Sequence, residues 1–225
     1  MPRMFKLGGI AVALTFCLLA ESGGGLSLYH ERLASKSQTE TEIKLSVPNA
    51  AAARRLLRRA GFAVATKRHF ERNIMVDTRP PSLKPSGQLL RIRQAAGATI
   101  LTYKGPAATN TKHKSREEIE TQAGPAIQTI LAKLGFVRTF SYEKYRTEFA
   151  QPGKRGLAVL DETPIGVFLE LEGTPAWIDR TARALGFSEE RYILQSYGSL
   201  WAEHCRQRQL PPADFVFPRR TASRG

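Results

Sequence analysis

The segment Glu40-Thr41-Glu42-Ile43-Lys44 places charged and uncharged side chains in strict alternation. In a β-strand, alternate side chains point to opposite faces, so Glu40, Glu42 and Lys44 share one face while Ile43 lies on the other. Carboxylates two positions apart lie roughly 6–7 Å from each other, and they repel by about 2–3 kcal/mol at an effective dielectric of about 20. A solvated strand face is the ordinary explanation for one such pair, whereas a partly enclosed pair needs a cation.

The same pattern recurs twice, at Glu118/Glu120 and at Glu170/Glu172. Each of the three segments precedes a predicted helix that ends at a Gly-Phe pair, where glycine supplies the left-handed stop and phenylalanine an apolar anchor. The spacing between the second glutamate and the glycine differs among the units, which excludes a regular solenoid period. We therefore interpret them as one supersecondary unit reused within a single sheet. The pairs are Gly61-Phe62, Gly135-Phe136 and Gly186-Phe187.

The remaining predicted strands also carry charged side chains on one face and apolar side chains on the other. Basic residues pair with basic residues, as in Arg91/Arg93 and Lys144/Arg146, and acidic residues pair with acidic ones. Strand faces in water usually mix signs, because adjacent like charges repel. A flat sheet with solvated charges is one interpretation. We favour an α+β fold in which about eight strands close into a β-barrel around the charges and helices flank its apolar outside, so that it can bind a divalent metal ion and a polyanion together.

Length and composition delimit the domain. The 225 residues suffice for one sizeable core, and we expect a single domain over residues 38–205. Residues 206–225 are basic and rich in arginine and proline, which predicts a mostly irregular tail whose removal after Leu210 changes ligand binding little. The net charge of +14 indicates an anionic partner without specifying its class.

Residues 1–37 precede the predicted domain. Arg3 and Lys6 come before a 14-residue apolar run, Leu7 to Ala20, which has the shape of a secretory signal and is short for a membrane span. An upstream extension from a mis-set start codon explains the segment equally well, so both interpretations stay open. The two cysteines show neither a disulfide framework nor metal-ligand spacing, and we expect a cytoplasmic protein.

Capping residues and glycines indicate where the helices begin and end. Asn49 is predicted to cap a helix that runs through Ala60, and Thr174 to cap another. After the first helix we expect a charged stretch followed by a short strand, Ile74 to Thr78. Gly105 to Lys114 is predicted to be a loop between two strands.

An ordered series of motifs resembles the CYTH superfamily, which includes class IV adenylate cyclases, thiamine triphosphatases and inorganic triphosphatases. The first segment matches the family's Glu-x-Glu-x-Lys signature, and the series extends from about Thr39 to Trp201. The resemblance implies an eight-stranded antiparallel tunnel that binds a triphosphate with Mg²⁺ or Mn²⁺. The other matching segments are Asn73-Ile-Met-Val-Asp77-Thr78, Leu90-Arg91-Ile-Arg93, Leu101-Thr-Tyr-Lys104-Gly105-Pro106, Ser115-Arg116-Glu-Glu118-Ile-Glu120, Glu143-Lys144-Tyr-Arg146, Leu160-Asp161 and Phe168-Leu-Glu170-Leu-Glu172-Gly173.

The resemblance also implies roles for individual side chains. Mg²⁺ prefers carboxylate and phosphate oxygens, and the guanidinium fork suits phosphate. Glu118 and Glu120 either bind a second metal ion or orient the arginines. The implied metal-binding residues are Glu40, Glu42, Asp161, Glu170 and Glu172. The implied phosphate-binding residues are Lys44, Arg91, Arg93, Lys104, Arg116, Lys144 and Arg146, with Lys44 assigned to catalysis as well.

Two enzymatic reactions are compatible with these residues. We expect metal-dependent hydrolysis of a small-molecule triphosphate, namely inorganic triphosphate, thiamine triphosphate or ATP. The alternative is a class IV adenylate cyclase, which converts ATP to cyclic AMP and pyrophosphate. Some bacterial cyclases carry a histidine–phenylalanine signature at the start of the domain, but His69-Phe70 lies well after the first strand, which puts cyclisation in doubt. A third interpretation is a non-catalytic binder of polyphosphate or RNA; we expect no nucleic-acid partner, and no membrane association unless the N-terminal segment is retained.

Overall fold

The computed structural model describes residues 38–109 and 111–219. Its strands are β1 (Gln38–Val47), β2 (Ala63–Asp77), β3 (Leu89–Ala95), β4 (Ala98–Lys104), β5 (Lys114–Gln122), β6 (Val137–Ala150), β7 (Leu157–Thr163) and β8 (Gly166–Glu172). They form a closed antiparallel barrel in the order β1-β5-β4-β3-β2-β6-β7-β8. The predicted α+β fold with a closed eight-stranded barrel is confirmed.

Pairing of β1 on both sides closes the barrel. Its first half pairs with β5 and its second half with β8, so Glu42 lies between Lys114 on one side and Glu172 on the other. The charged face of β1 consequently points into the barrel, whereas Ile43 and Leu45 are fully buried on its outside. This distribution reverses the usual one, in which charged side chains face water and apolar ones fill the interior.

Within the described residues, four α-helices cover the outside of the barrel: α1 (Ala50–Arg59), α2 (Ile127–Lys133), α3 (Pro175–Ala184) and α4 (Tyr197–Gln207). As predicted, the side chains of Asn49 and Thr174 cap α1 and α3 by accepting backbone N–H groups of the first turn. Helices α1 and α3 contact β1 and pack in one apolar cluster that includes Leu57 and Trp177.

The predicted Gly-Phe helix ends are also confirmed. The glycines that follow α1, α2 and α3 have φ angles of 79°, 90° and 87°. In each case the N–H of the following phenylalanine donates to the carbonyl oxygen five residues earlier, which is the Schellman arrangement. The three units therefore end their helices in the same way, and each phenylalanine packs in an apolar cluster on the outside of the barrel.

The first half of β2 differs from the sequence prediction. We expected a charged stretch and then a short strand at Ile74–Thr78, but β2 begins at Ala63 and runs for 15 residues. Before Glu71 it pairs only with β6, carries two register shifts and is exposed on most positions of both faces. A strand without a buried face has no reason to alternate polar and apolar residues, so the pattern that identifies strands is missing there.

After α4, the described residues up to 219 form neither a helix nor a strand, but they pack against the barrel. Phe215 is fully buried, and it exchanges backbone hydrogen bonds with Ser141 and Glu143 of β6. Its ring stacks on Trp201 of α4 with 5.1 Å between centroids. Removal after Leu210 would therefore take away a core side chain, while its small effect on ligand binding stays a prediction.

The N-terminal apolar run and the rest of residues 1–37 lie outside the described residues. Among the helices within residues 38–109 and 111–219, none is both long enough and apolar enough to cross a membrane. The two interpretations of the N-terminal segment stay predictions.

Candidate active site

The barrel surrounds a cavity of about 940 Å³ to which each of the eight strands contributes. That volume is ample for a small phosphorylated ligand. All the predicted site residues line the cavity except Asp161, which is fully buried behind it. The charged lining consists of Glu40, Glu42, Lys44, Arg91, Arg93, Lys104, Lys114, Arg116, Glu118, Glu120, Lys144, Arg146, Glu148, Arg155, Glu170 and Glu172.

Three of the predicted metal ligands come together as an acidic triad, Glu40, Glu42 and Glu172. One carboxylate oxygen from each lies within 4.8 Å of the other two. Glu42 and Glu172 are direct cross-strand neighbours on β1 and β8, and Glu40 follows on the same face of β1. The Glu-x-Glu spacing on two paired strands therefore produces the triad.

The members of the triad differ in charge balance. Glu42 bonds to Lys44 and Lys114, and these cations outweigh its burial and hold the pKa of its carboxyl well below the usual range. Glu172 has no ion pair among the described residues. Burial and the neighbouring carboxylates, chiefly Glu40, raise the pKa of Glu172 to about 8, against the opposing field of Arg146. The triad is thus short of positive charge at Glu172.

The donor set of the triad fits a divalent metal ion. It offers only carboxylate oxygens, which are hard ligands typical of Mg²⁺ and Mn²⁺ sites, and it has no cysteine or histidine that would favour zinc. A cation placed there would compensate the repulsion that keeps the Glu172 carboxyl protonated at neutral pH.

Asp161 and Glu170 form a second group of carboxylates, which are fully paired with cations. Arg146 binds Asp161 through two hydrogen bonds of 2.9 and 2.7 Å, and it lies 2.5 Å from Glu170. Lys144 lies 2.8 Å from Asp161, and Lys44 lies 3.2 Å from Glu170. The structure brings these two predicted metal ligands to the cations rather than into the triad.

The predicted phosphate-binding residues form the other walls of the cavity. Lys104 Nζ lies 2.6 Å from Glu40 and 2.9 Å from Glu118, and Arg116 lies 3.4 Å from Glu40. Each of these cations is held in place by carboxylates that also face the cavity. The N–H donors that these contacts leave free could bind an incoming phosphate group while the carboxylates keep the cations oriented.

Glu118 and Glu120 lie against the arginines of β3. Arg91 is 3.2 Å from Glu120 and 3.7 Å from Glu118, and Arg93 is 3.5 Å from Glu120. The arginines, together with a hydrogen bond from Thr102, outweigh burial and lower the pKa of Glu120 to about 2. Of the two roles left open for these glutamates, this geometry supports orientation of the arginines.

Sequence reasoning assigned no role to several residues in or beside the cavity, among them Arg155. Glu71 is buried near Lys144 and Arg93, but it lies on the part of the chain read as a charged stretch. The sequence predicts Lys114 at the end of a loop, whereas it is the first residue of β5. Its position two residues before Arg116 could have shown that both side chains lie on the same strand face. Tyr142 and Tyr197 also line the cavity, and the alternation of Tyr142 with Lys144 and Arg146 could have identified the first of these tyrosines.

One end of the cavity is less polar than the rest. Tyr142 and Tyr197 lie there with 6.4 Å between ring centroids, and the Tyr142 hydroxyl accepts a hydrogen bond from Arg91. Lys44 and Lys144 lie 5.4 and 5.2 Å from the centroid of the Tyr197 ring. The apolar and aromatic lining residues at this end are Met75, Leu89, Phe140, Tyr142 and Tyr197.

Comparisons with known proteins agree with this architecture. A relative from Methanocaldococcus jannaschii, named a "putative adenylate cyclase", is 28% identical over 170 residues, covering 70% of this chain and 95% of the relative. A solved structure from Vibrio parahaemolyticus with the same description has a TM-score of 0.62 at 21% identity, covering 74% of this chain and 99% of that one.

A second solved structure, from Hippeastrum, is described as a "putative adenylyl cyclase" that reveals a dominant triphosphatase activity. It has a TM-score of 0.55 at 21% identity and covers 73% of this chain and 96% of that one. The sequence profile described as the CYTH domain matches residues 38–197, which is most of the chain. The chain belongs to the CYTH domain family.

Proposed function

We propose that this protein is a divalent-metal-dependent triphosphatase that cleaves a phosphoanhydride bond of a triphosphate bound inside the barrel. The observation that carries the proposal is the acidic triad beside walls of lysine and arginine within one cavity. A metal–triphosphate complex presents a cation and a polyanion together, and the cavity offers ligands for both. Membership of the CYTH family supports an enzymatic role.

In this proposal the basic walls bind and orient the phosphate oxygens. Arg91 and Arg93 donate from planar guanidinium groups, which match a phosphate better than a point charge does. Because their carboxylate partners Glu118 and Glu120 already hold them in position, little side-chain ordering is needed when the ligand binds. A metal ion held by the acidic triad would neutralise developing charge on the phosphate oxygens.

Lys44 acts electrostatically rather than as a base. Burial alone would lower its pKa, but Glu42 and Glu170 raise the pKa of Lys44 above its usual value. The side chain therefore stays an ammonium ion and cannot accept a proton from water. Its positive charge can stabilise the phosphate group under attack while water adds to phosphorus and the P–O–P bond breaks. Inorganic triphosphate would yield phosphate and pyrophosphate.

A class IV adenylate cyclase is the second candidate, and the aromatic end of the cavity favours it. The rings of Tyr142 and Tyr197 lie beside the phosphate-binding walls, where a nucleobase or another flat organic group could stack. The name of the M. jannaschii relative points in the same direction, whereas the activity described for the Hippeastrum protein points to triphosphate hydrolysis.

One assay separates these functions. The purified full-length chain is incubated with inorganic triphosphate, thiamine triphosphate or ATP in Mg²⁺, Mn²⁺ or EDTA, and the products are resolved by ion-exchange chromatography. We expect metal-dependent formation of phosphate and pyrophosphate from inorganic triphosphate, because the basic walls need no organic group. Glu42→Gln should abolish it, while Glu190→Gln, in the exposed turn Glu189–Arg191, should not.

The other outcomes identify the alternatives. Inert inorganic triphosphate with cyclic AMP and pyrophosphate from ATP would establish the cyclase, since a substrate without ribose has no nucleophile for cyclisation. Binding of triphosphate without turnover in either metal would overturn both enzymatic proposals in favour of a polyphosphate-binding protein.

A further inference from the structure

Nearly every cation of the cavity is already paired. Of the nine lysine and arginine side chains in its described lining, eight have a carboxylate oxygen within 3.5 Å. Arg155 is the exception, since the described residues provide it with no ion pair or hydrogen bond. The paired cations are Lys44, Arg91, Arg93, Lys104, Lys114, Arg116, Lys144 and Arg146.

Arg155 lies at the rim of the cavity. It belongs to the loop between β6 and β7, two residues before Leu157, which is the cross-strand neighbour of Glu172. Gly156, Leu157 and Thr174 line the same rim. An exposed arginine therefore lines the cavity on a loop that enters β7 opposite the end of β8, which carries Glu172.

The base of this loop is fixed, although the Arg155 side chain is exposed. Gly156 has a φ angle of 143°, and a Cβ atom there would lie 2.3 Å from Trp177 Cε2. A Cβ atom on Gly173 would lie 2.9 Å from Trp177 Cε3. Two glycines thus let the β6–β7 loop and the end of β8 approach the same buried indole ring, which fixes the base of the Arg155 loop against β8.

We propose that Arg155 binds a phosphate group of the substrate at this rim and so completes the phosphate-binding set; this rests on the proposed function. The charges of the eight paired cations are already balanced in part by carboxylates, whereas the charge of Arg155 is not. Its guanidinium fork can bind two phosphate oxygens at once. Its loop leads into β7 next to the end of β8, the strand that carries Glu172.

The test is calorimetric titration of the full-length chain with inorganic triphosphate in EDTA, repeated as steady-state kinetics in Mg²⁺. Arg155→Ala should bind about tenfold more weakly, the lower end expected for an exposed hydrogen bond to a charged group. Its KM should rise by a similar factor while kcat changes less than about twofold. Lys154→Ala is the matched control, because Lys154 is the adjacent exposed cation but does not line the cavity, and it should behave as wild type.

Three outcomes decide whether Arg155 binds a phosphate group of the substrate. Arg155→Lys should recover part of the affinity if the charge at the rim is used, and the thermal unfolding of Arg155→Ala should match that of wild type. Equal affinity in Arg155→Ala and wild type, or equal losses in Arg155→Ala and Lys154→Ala, would overturn the contact while leaving the proposed function intact. A wild-type chain that binds triphosphate but does not hydrolyse it would refute the triphosphatase and leave the Arg155 contact standing.

Discussion

The barrel contains two clusters of acidic side chains on neighbouring strands, the acidic triad and the pair Asp161 and Glu170, and the surroundings of the two clusters differ. In the acidic triad, Glu172 has no cation partner among the described residues, and its pKa is raised to about 8. In the second group, which we call the paired group (Asp161 and Glu170), Arg146 bonds to both carboxylates. This difference in ion pairing indicates that the two clusters have different roles. The triad, in which Glu172 has no cation partner, suits a metal ion, whereas the fully paired group holds phosphate-binding cations in place.

The largest expected effect is on stability and comes from the paired group. Asp161→Asn would leave Lys144 and Arg146 buried without their main counter-charge, and we expect the free energy of unfolding to fall by about 3–5 kcal/mol. Chemical denaturation of the metal-free protein measures it. Glu162→Gln is the control, because the neighbouring Glu162 pairs with the exposed Arg68 and should change stability by about 1 kcal/mol or less.

Asp161→Asn also tests whether the acidic triad and the paired group have different roles. If Asp161 is a metal ligand instead, as the family resemblance implies, Asp161→Asn should keep its stability in EDTA and lose only the stabilisation that Mg²⁺ adds. That result would place Asp161 with the triad and remove the distinction between the two groups.

The second-largest expected effect is a loss of Mg²⁺-dependent turnover when Glu172 of the triad is replaced. Glutamine resembles a protonated glutamate in shape, so Glu172→Gln should leave the metal-free protein as stable as wild type at neutral pH. It should nevertheless lower Mg²⁺-dependent turnover about a hundredfold, which corresponds to about 2.7 kcal/mol. Calorimetric titration with Mg²⁺ should show weaker binding in the variant. Wild-type turnover with wild-type Mg²⁺ affinity would contradict the assignment of the triad.

Much of the barrel can be predicted from the sequence, because strand alternation alone decides which side chains face inward. The like-sign pairs Glu40/Glu42, Arg91/Arg93 and Lys144/Arg146 require a common face whatever their neighbours are. This local rule is enough to identify the lining and to favour closure of the sheet.

The pairing across strands could not be predicted in the same way. Arg146 lies opposite Asp161, and Glu42 lies opposite Glu172, only because of the register between strands distant in the chain. A shift of one residue in the pairing would move every side chain of the strand to the opposite face. The sequence of a single strand does not determine this register. The division into a triad and a paired group therefore emerges from the fold. Phe215 was missed for a related reason: its neighbours suggest a solvated tail, and only a distant strand buries it.

The smallest expected effect is a pH dependence with opposite signs for the two groups. Lys44 outweighs burial and, with Lys144 and Arg146, lowers the pKa of Glu170 to about 2, below its ordinary value of 4.5. The unfolded chain then binds more protons between these values, so this contribution to stability is lost as the pH falls from about 4.5 to 2. Glu172 behaves in reverse, because its pKa rises from 4.5 in the unfolded chain to about 8 in the folded one.

Between pH 4.5 and 8 the folded protein keeps a proton on Glu172 that the unfolded chain has released, so raising the pH across this window destabilises the fold. We expect the metal-free protein to lose about 1–2 kcal/mol there, less than the full pKa difference implies, because Glu172 is only partly buried. Urea denaturation in EDTA at several pH values measures this loss. Glu172→Gln should make this loss smaller, while Glu118, whose pKa is raised by burial, and His69, whose pKa is raised by its hydrogen bond to Glu71, keep their share of it. Saturating Mg²⁺, which binds the ionised carboxylates, should restore stability at the upper end of the window. A stability that is flat from pH 5 to 8 in both wild type and Glu172→Gln would mean that the triad carries no excess negative charge, and the contrast with the paired group would disappear.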